Sequence, residues 1–485
     1  MSKNLRINKN NFIDQTTRIS FKFNGQKLFG YKGDTLASAL LANNIHLVGR
    51  SFKYHRPRGI MTCGSEEPNA IVQIGNDPSL TDPNVRATEI EIYEGLDASS
   101  QNCWPSVNFD IGGINNFLSP LLPAGFYYKT FMWPASFWEK YEYFIRHSAG
   151  LGKAPTKSDP DIYDHQYSHC DVLVVGGGIS GIISAKLSAE KGLDTILIDD
   201  KSFLGGSTIY QENECYKINS VNSNKWLANE IESLKNYPNL LIKNRTSLAA
   251  FHGYNYLLAR ENLTDHLSIN ERKGKVRQRL WKIRAKKVII ASGSIERPLI
   301  FSNNDRPGII LSSSIKKYID YYGVKTGENI SLFTNNDSAY ETAISLYKSG
   351  VKVNVIVDIR KNSDSLIVKE ALELGLKVLW ESTVVDTQGY KRIKSFEVMK
   401  LSDDGNNVVG DRSKYNCDCL GISGGWTPMV HLFTQSGGKL KFRNDDNVFI
   451  PDENKTPSNQ ISVGSCNGEF KLNEIVVNTI ENLKS

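Results

Sequence analysis

The sequence predicts an α/β protein whose larger part is a doubly wound parallel sheet and whose start is a small α+β module. Three observations support this fold class. Strands and helices alternate over residues 169–485, which is typical of a parallel sheet with helices on both faces. Strand-like alternation, one helix and further strands fall within residues 1–100. Residues 101–168 separate these two parts and have little helical or strand periodicity.

The composition excludes several classes of protein. The 485 residues are 40% hydrophobic and 23% charged, which is ordinary for a folded chain and unlike a disordered one. No apolar run approaches the roughly 18 residues of a membrane span, and the first residues lack the apolar core of a secretory signal. The seven scattered cysteines fit a reducing compartment better than a disulfide framework. We therefore expect a cytoplasmic protein with no membrane-embedded part.

The basic residues do not indicate a nucleic-acid partner, because a net charge of +6 is small for a chain of this length. The densest basic stretch, residues 272–287, leads into an apolar strand, so we interpret it as a solvated strand or hairpin face rather than a polyanion site. Residues 50–59, RSFKYHRPRG, mix basic and aromatic side chains. Without a second basic surface, we interpret them as a structural loop or a protein contact.

Residues 1–100 predict a β-grasp-type module. RISFKFNG alternates as a strand does, and GQKLFGYKG reads as a turn followed by a second strand. A helix follows, with Asp34 as its N-cap and an apolar face from Leu36 to Leu41. AIVQIG and ATEIEIYEG are the further predicted strands.

Residues 101–168 are rich in aromatic side chains, glycine and proline. So many large aromatic side chains are not expected in a floppy linker. Either the segment is an ordered connector packed over the neighbouring domain, or part of it forms a subunit interface, where Trp, Tyr and Phe concentrate.

The third region starts with a phosphate-binding turn, DVLVVGGGISG, at residues 171–181. Gly176 allows the tight turn from strand to helix, and Gly178 lets the backbone approach a pyrophosphate closely. Gly181 lets the helix pack against the strand. The start of that helix offers unpaired N–H groups to the phosphates.

The elements after this turn also fit a dinucleotide. A second strand ends in Asp199, where a carboxylate can accept hydrogen bonds from ribose hydroxyls. Gly205-Gly206-Ser207 follows, and the strand VIIASGS is similar to a strand end of two-dinucleotide-binding flavoproteins. We therefore predict an FAD/NAD(P)-binding, Rossmann-type domain over residues 169–304 and 421–485, with ISVGSCNG as its closing strand and turn.

Residues 305–420 predict an inserted, degenerate second Rossmann-like domain. The strand–turn–helix–strand pattern is present, but TNNDS stands where the glycines would be. Side chains at this turn would obstruct a pyrophosphate, so we expect a structural role and one bound dinucleotide rather than two.

The cysteines indicate neither a redox pair nor a cluster. No C-x-x-C pair is present, and Cys417 and Cys419 are predicted on one buried face of a strand. Cys63 begins CGSEEP, and one thiolate cannot hold a [2Fe–2S] cluster. No general base, nucleophile or metal constellation stands out, so we predict no catalytic residue and no metal ligand in this chain.

Several phrases of the sequence, among them RSFKYHRPRG, GSEEPNA, SQNCWPS, GSIERPLIFSNNDRPG and SGGWTPMVHLFTQSGGKL, resemble the α subunits of heterotetrameric sarcosine oxidase over residues 17–485. The resemblance implies a complex that oxidatively demethylates sarcosine to glycine with O2, giving H2O2 and formaldehyde or methylene-tetrahydrofolate. It implies β, γ and δ subunits as partners, FAD in the β subunit and FMN at the interface of the α and β subunits. It also implies a ferredoxin-like first module without a cluster.

The resemblance further implies that this chain binds NAD. The implied contacts on this sequence are Gly176, Gly178, Ser180, Gly181, Asp199, Asp200, Lys201, Gly206, Ser207, Leu248 and Ser465.

Three alternatives stay open at this point. The family's α subunits continue into an aminomethyltransferase-like, folate-binding half, so this chain is part of a split subunit, a truncated product or a relative lacking that half. The shorter hydrogen cyanide synthase and opine dehydrogenase group shares the architecture. A self-sufficient FAD/NAD(P)H oxidoreductase, or a regulatory protein that senses NAD, would also fit the turn.

Overall fold

The computed structural model describes residues 4–7, 12–121, 125, 133–148, 150–210, 217, 218, 220–456 and 459–484. The chain forms two units, each described by itself. The first comprises Met1–Pro160, His266–Ser268 and Arg297–Gly425, and the second comprises Asp161–Asp265, Ile269–Glu296 and Trp426–Ser485. The predicted domain boundaries remain a prediction.

The first unit begins with the α+β module. Its sheet has five strands, in the order Gln26–Lys32, Asp14–Phe23, Asp97–Ser100, Ile71–Ile74 and Asp82–Arg86. The first strand in the chain pairs in parallel with Asp97–Ser100, and the other pairs are antiparallel. The helix Leu36–Ala42 is wholly buried, because every one of its side chains is apolar or is a small serine. These features match the predicted β-grasp-type module.

Two details of this module differ from the prediction. The helix N-cap is Thr35, whose hydroxyl accepts from the backbone N–H of Ser38, whereas Asp34 pairs with Arg6. The segment ATEIEIYEG is not a strand. Its backbone instead accepts hydrogen bonds from the start of the helix, since the N–H of Leu36 donates to the carbonyl of Ile90 at 2.7 Å.

The aromatic-rich segment contains only short elements between Asn102 and Ser148 among its described residues. They are the helices Ile114–Phe117 and Trp138–Ser148 and the 3-10 turns Ile111–Gly113, Ser119–Leu121 and Ala135–Phe137. Part of the predicted connector, residues 122–124, 126–132 and 149, lies outside the described residues.

The inserted Rossmann-like part of the first unit has a parallel five-stranded sheet. Its strands, in sheet order, are Ile309–Leu311, Cys419–Ser423, Asn329–Thr334, Lys352–Asp358 and Val378–Leu379. An antiparallel three-stranded sheet follows, formed by Ser382–Gly389, Ile393–Leu401 and Val408–Asn416. The helices are Ser312–Asp320, Ser338–Lys348 and Leu366–Glu373.

The second unit is built around a larger sheet. Its path runs Leu240–Lys243, Thr195–Ile198, Ile162–Val175, Val276–Ile290, Tyr256–Asn262 and Thr246–His252, with Gln460–Ser462 also paired to Val276–Ile290. Tyr256–Asn262 pairs antiparallel with both of its neighbours, and the other pairs are parallel. The helices are Ile179–Glu190, Ser223–Ser233, Ile269–Arg272, His431–Gln435 and Leu472–Lys484.

Both faces of this sheet are buried around residues 172–175, as a doubly wound fold requires. Leu173 and Val175 pack into one apolar cluster, and Val172 and Val174 pack into another on the opposite face. The continuous apolar run that ends at Val175 therefore reflects helices or loops on both sides of the sheet. The fold class predicted from the sequence is confirmed.

The basic stretch of residues 272–287 forms most of one long strand, as predicted. Its side chains pair with acidic residues rather than standing as a free basic patch. Arg279 bonds Asp164, and Lys286 pairs with Asp171, both on the neighbouring strand.

The remaining elements are short. Two-stranded ladders join Gly49–Arg50 to Pro57–Arg58, Lys217–Ile218 to Val221–Asn222, Ser294–Glu296 to Trp426–Pro428, and Leu440–Arg443 to Val448–Pro451. Single 3-10 turns lie at Thr208–Tyr210, Leu234–Asn236, Gly253–Asn255, Glu453–Lys455 and Gly464–Asn467. Within the described part of the chain, no helix has the length and apolar character needed to cross a membrane.

Candidate functional site

Two glycines of the turn between the first strand and helix of the second unit are required by the fold itself. Gly176 has φ +105°, a conformation that costs glycine little, and a Cβ there would collide with the carbonyl oxygen of Ala291. A Cβ at Gly181 would collide with the carbonyl oxygen of Gly176. These glycines let strand, turn and helix approach one another closely.

Gly178 differs from both. Its φ of −72° is open to any residue, and the nearest atom to an added Cβ is the Cα of Gly206, at 4.0 Å. Nothing in the folded chain therefore requires glycine at this position. The space beside Gly178 is a cradle that a side chain would fill.

The start of the helix Ile179–Glu190 faces this cradle. Gly178 is its N-cap and supplies no side chain to accept from the N–H groups of the first turn. Those groups, together with the partial positive charge of the helix end, favour an anion. The residues present thus fit the phosphates of a dinucleotide.

Asp199 follows the second strand and holds the turn in place. Its carboxylate accepts from the backbone N–H of Gly177 at 2.6 Å and from that of Lys201 at 2.8 Å. Burial, and then the neighbouring Asp200, raise the pKa of Asp199 to about 6. Each carboxylate oxygen retains a further lone pair that a ribose hydroxyl can use.

The other predicted contacts lie at varied distances from this turn. Gly206, at φ +55°, lies against Gly178, since a Cβ on Gly206 would be 2.9 Å from the Cα of Gly178. Ser207 is exposed beside it. The side chains of Asp200 and Lys201 form an ion pair at 3.1 Å.

Leu248 and Ser465 come from later elements of the second unit. Leu248 lies in a strand whose first residue, Thr246, donates its N–H to the carbonyl of Asp199 at 2.7 Å. Ser465 follows Gly464, where a Cβ would collide with the hydroxyl of Ser180. The closing turn therefore contacts the first helix through Ser180.

Two glycines of this site were not among the predicted contacts. Gly177 donates to Asp199, and Gly464, at φ +73°, permits the approach to Ser180. The run of three glycines was a signal for the first of them. The signal for Gly464 was only the phrase VGSCNG, and the sequence does not show that this phrase lies against Ser180.

The corresponding turn of the inserted domain is filled by side chains. The hydroxyl of Thr334 accepts from the N–H of Asn336 at 3.0 Å, and the Asn336 amide donates to the Ser423 hydroxyl at 2.9 Å. The side-chain oxygen Oδ1 of Asn336 accepts from the backbone N–H of Ser338, at the start of the helix. These side chains occupy the space that phosphates would need.

The described cysteines are buried or half-buried. Cys417 and Cys419 are both buried as predicted, but the prediction that they share one face of a strand was wrong. Cys417 packs into the apolar cluster of Leu420 and Ile422, Cys419 packs into a different cluster, and the strand begins only at Cys419. Burial raises the pKa of the Cys419 thiol to about 12. Within the described ranges, no three His, Cys, Asp or Glu side chains come together as a metal site.

Comparison with known proteins gives two family matches. Residues 170–473 match the model described as pyridine nucleotide-disulphide oxidoreductase, and residues 16–103 match the model described as a 2Fe-2S iron-sulfur cluster binding domain. Among solved structures, L-proline dehydrogenase from P. horikoshii is similar with a TM-score of 0.60 and 19% identity, over 96% of this chain and 71% of that one. That likeness concerns the fold.

Curated relatives are similar over nearly the whole chain. Sarcosine oxidase subunit alpha of Rhizobium meliloti (strain 1021) is 42% identical over 446 residues, which are 92% of this chain and 43% of the relative. The same subunit of Corynebacterium sp. (strain U-96) is 31% identical over 94% of this chain and 42% of the relative. The chain thus spans less than half the length of these relatives.

The first module does not fit an iron–sulfur cluster, despite the family model that it matches. A [2Fe–2S] cluster takes four thiolates, whereas residues 16–103 contain only Cys63 and Cys103. The loop after Cys63 closes around the carboxylate of Glu67 instead. That carboxylate accepts from the backbone N–H groups of residues 61, 62, 69 and 70 and from the Thr62 hydroxyl.

Proposed function

Since the chain belongs to the pyridine nucleotide-disulphide oxidoreductase family and is a homologue of the α subunits of sarcosine oxidase, we propose that it is the NAD-binding subunit of a sarcosine oxidase complex. The complex would demethylate sarcosine to glycine with O2, releasing H2O2 and formaldehyde or methylene-tetrahydrofolate. The proposal places it in the cytoplasm.

The single observation that carries the binding proposal is the open cradle at Gly178. Every other glycine of the turn is explained by packing, but this one leaves a space that the folded chain does not use. We assign the pyrophosphate of NAD to this cradle and the adenosine ribose to Asp199. The remaining assigned contacts are Gly176, Ser180, Gly181, Asp200, Lys201, Gly206, Ser207, Leu248 and Ser465.

The second part of the proposal concerns partners. The relatives are named as subunits, and the aromatic-rich segment of this chain exposes large apolar side chains, including Trp104 at 69%, Phe117 at 83% and Trp133 at 83%. Exposed clusters of this kind mark protein interfaces. We propose that the segment contacts a flavin-bearing β subunit, with FMN held between the two chains, FAD within the β subunit, and γ and δ subunits completing the assembly.

In this proposal the chain binds and positions, and the chemistry takes place on flavin in the assembly. When bound there, flavin accepts the electrons of the amine and passes them to O2. This chain would hold one face of the FMN site and keep the assembly together.

Purification tests both parts. The chain alone should carry about one NAD per chain, released on denaturation, and should show no flavin absorbance. Co-expressed with the reading frames beside its gene, it should co-purify with flavin-bearing subunits that consume O2 when sarcosine is added. Tight flavin in the isolated chain would instead favour a self-sufficient FAD/NAD(P)H oxidoreductase, and another oxidised amine would favour an amine dehydrogenase of the opine or cyanide-forming type.

A further inference from the structure

The loop of residues 50–59 lines a pocket of about 220 Å³ in the first unit. Arg50 and Arg58 belong to its wall, together with the amides Asn69 and Asn102 and the ring of Phe52. None of the ten lining residues is acidic. The pocket is therefore basic, and part of its wall comes from the segment RSFKYHRPRG, residues 50–59.

Arg50 is the unusual member of this wall. Its side chain is buried, at 5% exposure, and its hydrogen-bond acceptors are all uncharged. Nε and Nη2 donate to the carbonyl of Val107 at 2.9 and 2.6 Å, and Nη1 donates to the carbonyl of His55 at 3.2 Å and to the hydroxyl of Tyr390 at 3.5 Å. The guanidinium also lies 5.8 Å from the centroid of the Tyr390 ring. Among the residues that the structure describes, no carboxylate forms an ion pair with this guanidinium.

Other buried arginines of the chain are neutralised. Arg6 pairs with Asp34, and Arg272 pairs with Asp161. Burying a charge without a counter-charge is costly, so buried ionised groups in proteins are normally paired. Arg50 lacks such a counter-charge, and it borders a cavity.

The second arginine of the wall adds to the positive charge. Arg58 pairs with one oxygen of Asp305, and Arg56, which does not line the pocket, pairs with the other oxygen, so these three side chains carry one net positive charge beside the wall. An anion in the pocket would supply the missing negative charge. A guanidinium binds carboxylate and phosphate well, because both present oxygens to its planar N–H groups.

We propose that this pocket binds a small organic anion, through a carboxylate or phosphate group held by Arg50. Phe52, which is 52% exposed, would contact the apolar part of the ligand. This site is separate from the glycine turn and does not depend on the proposed NAD binding.

Anion titration of the full chain tests this proposal. Inorganic phosphate and acetate are each added at constant ionic strength, with chloride as the balancing salt, and thermal unfolding is followed. We expect a saturable rise in Tm with at least one of the two anions, as ligand binding to the folded state requires. A response to phosphate alone would identify phosphorylated ligands, and a response to acetate alone would identify carboxylates.

Phe52→Glu and Phe52→Gln form the matched pair of variants. Because Phe52 is half exposed, both should fold, but only the first adds a negative charge at the pocket. We expect Phe52→Glu to weaken the anion response at least tenfold and Phe52→Gln to keep it. Arg50→Gln should also remove the response.

The glycine turn could bind phosphate as well, so the titrations are repeated in a Gly178→Leu background. A response that persists there and vanishes with Phe52→Glu belongs to the pocket. Equal responses of Phe52→Glu and Phe52→Gln, or no response beyond chloride, would overturn the proposal and leave the NAD proposal untouched.

Discussion

The chain contains two strand–turn–helix–strand motifs of the same topology, the glycine-turn motif and that of the inserted domain, and they differ at the turn. In the first, Gly178 leaves open space before a helix whose first N–H groups have no side-chain acceptor. In the second, the side chain of Asn336 bonds Ser338 and Ser423 and closes the same position. Topology alone therefore does not make a nucleotide site. The side chains of three or four turn residues decide whether phosphates can approach.

The acids that end the second strands show the same contrast. Asp199 is bonded by two backbone N–H groups, and among the described residues no Lys, Arg or His forms an ion pair with it. Asp358 is fully buried and accepts from Arg360 and from the hydroxyl of Tyr340. Asp199 therefore keeps acceptor capacity for a ligand, whereas the carboxylate of Asp358 is already engaged by side chains of the folded protein.

The largest expected effect is that of Gly178→Leu. The leucine side chain would occupy the cradle, so NAD binding should fall by about 100-fold or more. Tm should change little, because the nearest atom to a Cβ added at Gly178 is the Cα of Gly206, at 4.0 Å. Calorimetric titration with NAD and thermal unfolding measure the two effects. Normal NAD content in this variant would show that the phosphates bind elsewhere.

Gly181→Leu is the matched control within the same turn. Here the added side chain collides with the carbonyl oxygen of Gly176, so the fold itself should be lost or strongly destabilised. A Gly181 variant as stable as wild type would contradict the distinction between a packing glycine and a ligand glycine.

A smaller effect is expected from Asp199→Ala. Removing the carboxylate leaves ribose hydroxyls and the N–H groups of Gly177 and Lys201 without an acceptor, which should weaken NAD binding by about 1–3 kcal/mol. Asp358→Ala is the control in the inserted domain. It should lower Tm, because Arg360 and Tyr340 lose their partner, yet leave NAD affinity unchanged. Titrations of both variants that gave equal losses of affinity would remove the contrast between the two acids.

The pH dependence of binding should follow Asp199. Ribose hydroxyls donate to the ionised carboxylate, so NAD lowers the pKa of Asp199 from its value of about 6 in the free chain. Affinity should therefore fall as the pH drops through about 6, by at most about tenfold per pH unit. Titrations on either side of pH 6 measure this, and Asp199→Asn should bind more weakly with no such slope.

The raised pKa of Asp199 has the opposite consequence for the stability of the unliganded fold, which should fall as the pH rises. The pKa of Asp199 in the folded chain lies above its ordinary value of 3.8. The group's contribution to the free energy of unfolding is therefore present below pH 3.8 and is lost as the pH rises through about 6. Wild type should lose stability relative to Asp199→Asn over this interval in thermal unfolding scans.

The sequence predicted those parts of the fold whose signal is local. The strand, glycines, helix and acid of the glycine turn stand within about 30 residues, so each can be recognised from its neighbours in sequence. ATEIEIYEG was wrongly predicted as a strand, because its alternation was real but its backbone bonds the start of the helix Leu36–Ala42 instead of a sheet partner. Such competition depends on contacts distant in sequence.

The same limit applies to the sites. The cradle at Gly178 follows from a motif, but the approach of Gly464 to Ser180 joins residues nearly 300 positions apart. The buried charge of Arg50 was equally hidden, since RSFKYHRPRG shows three arginines and not which of them lacks a carboxylate. Burial and pairing are properties of the folded chain, so they can be read from the structure and not from the composition.

The smallest effect is expected when a glycine is introduced into the turn of the inserted domain. Asn336→Gly would remove the side chain that closes the second turn and would restore glycine at one position. The fold should lose about 1 kcal/mol for the lost hydrogen bonds to Ser338 and Ser423. No second NAD should bind, because Asn335 and Ser338 remain and Asp358 is still held by Arg360. A second equivalent of NAD in this variant would show that one side chain alone had kept the inserted domain empty, and the stoichiometry from titration decides the matter.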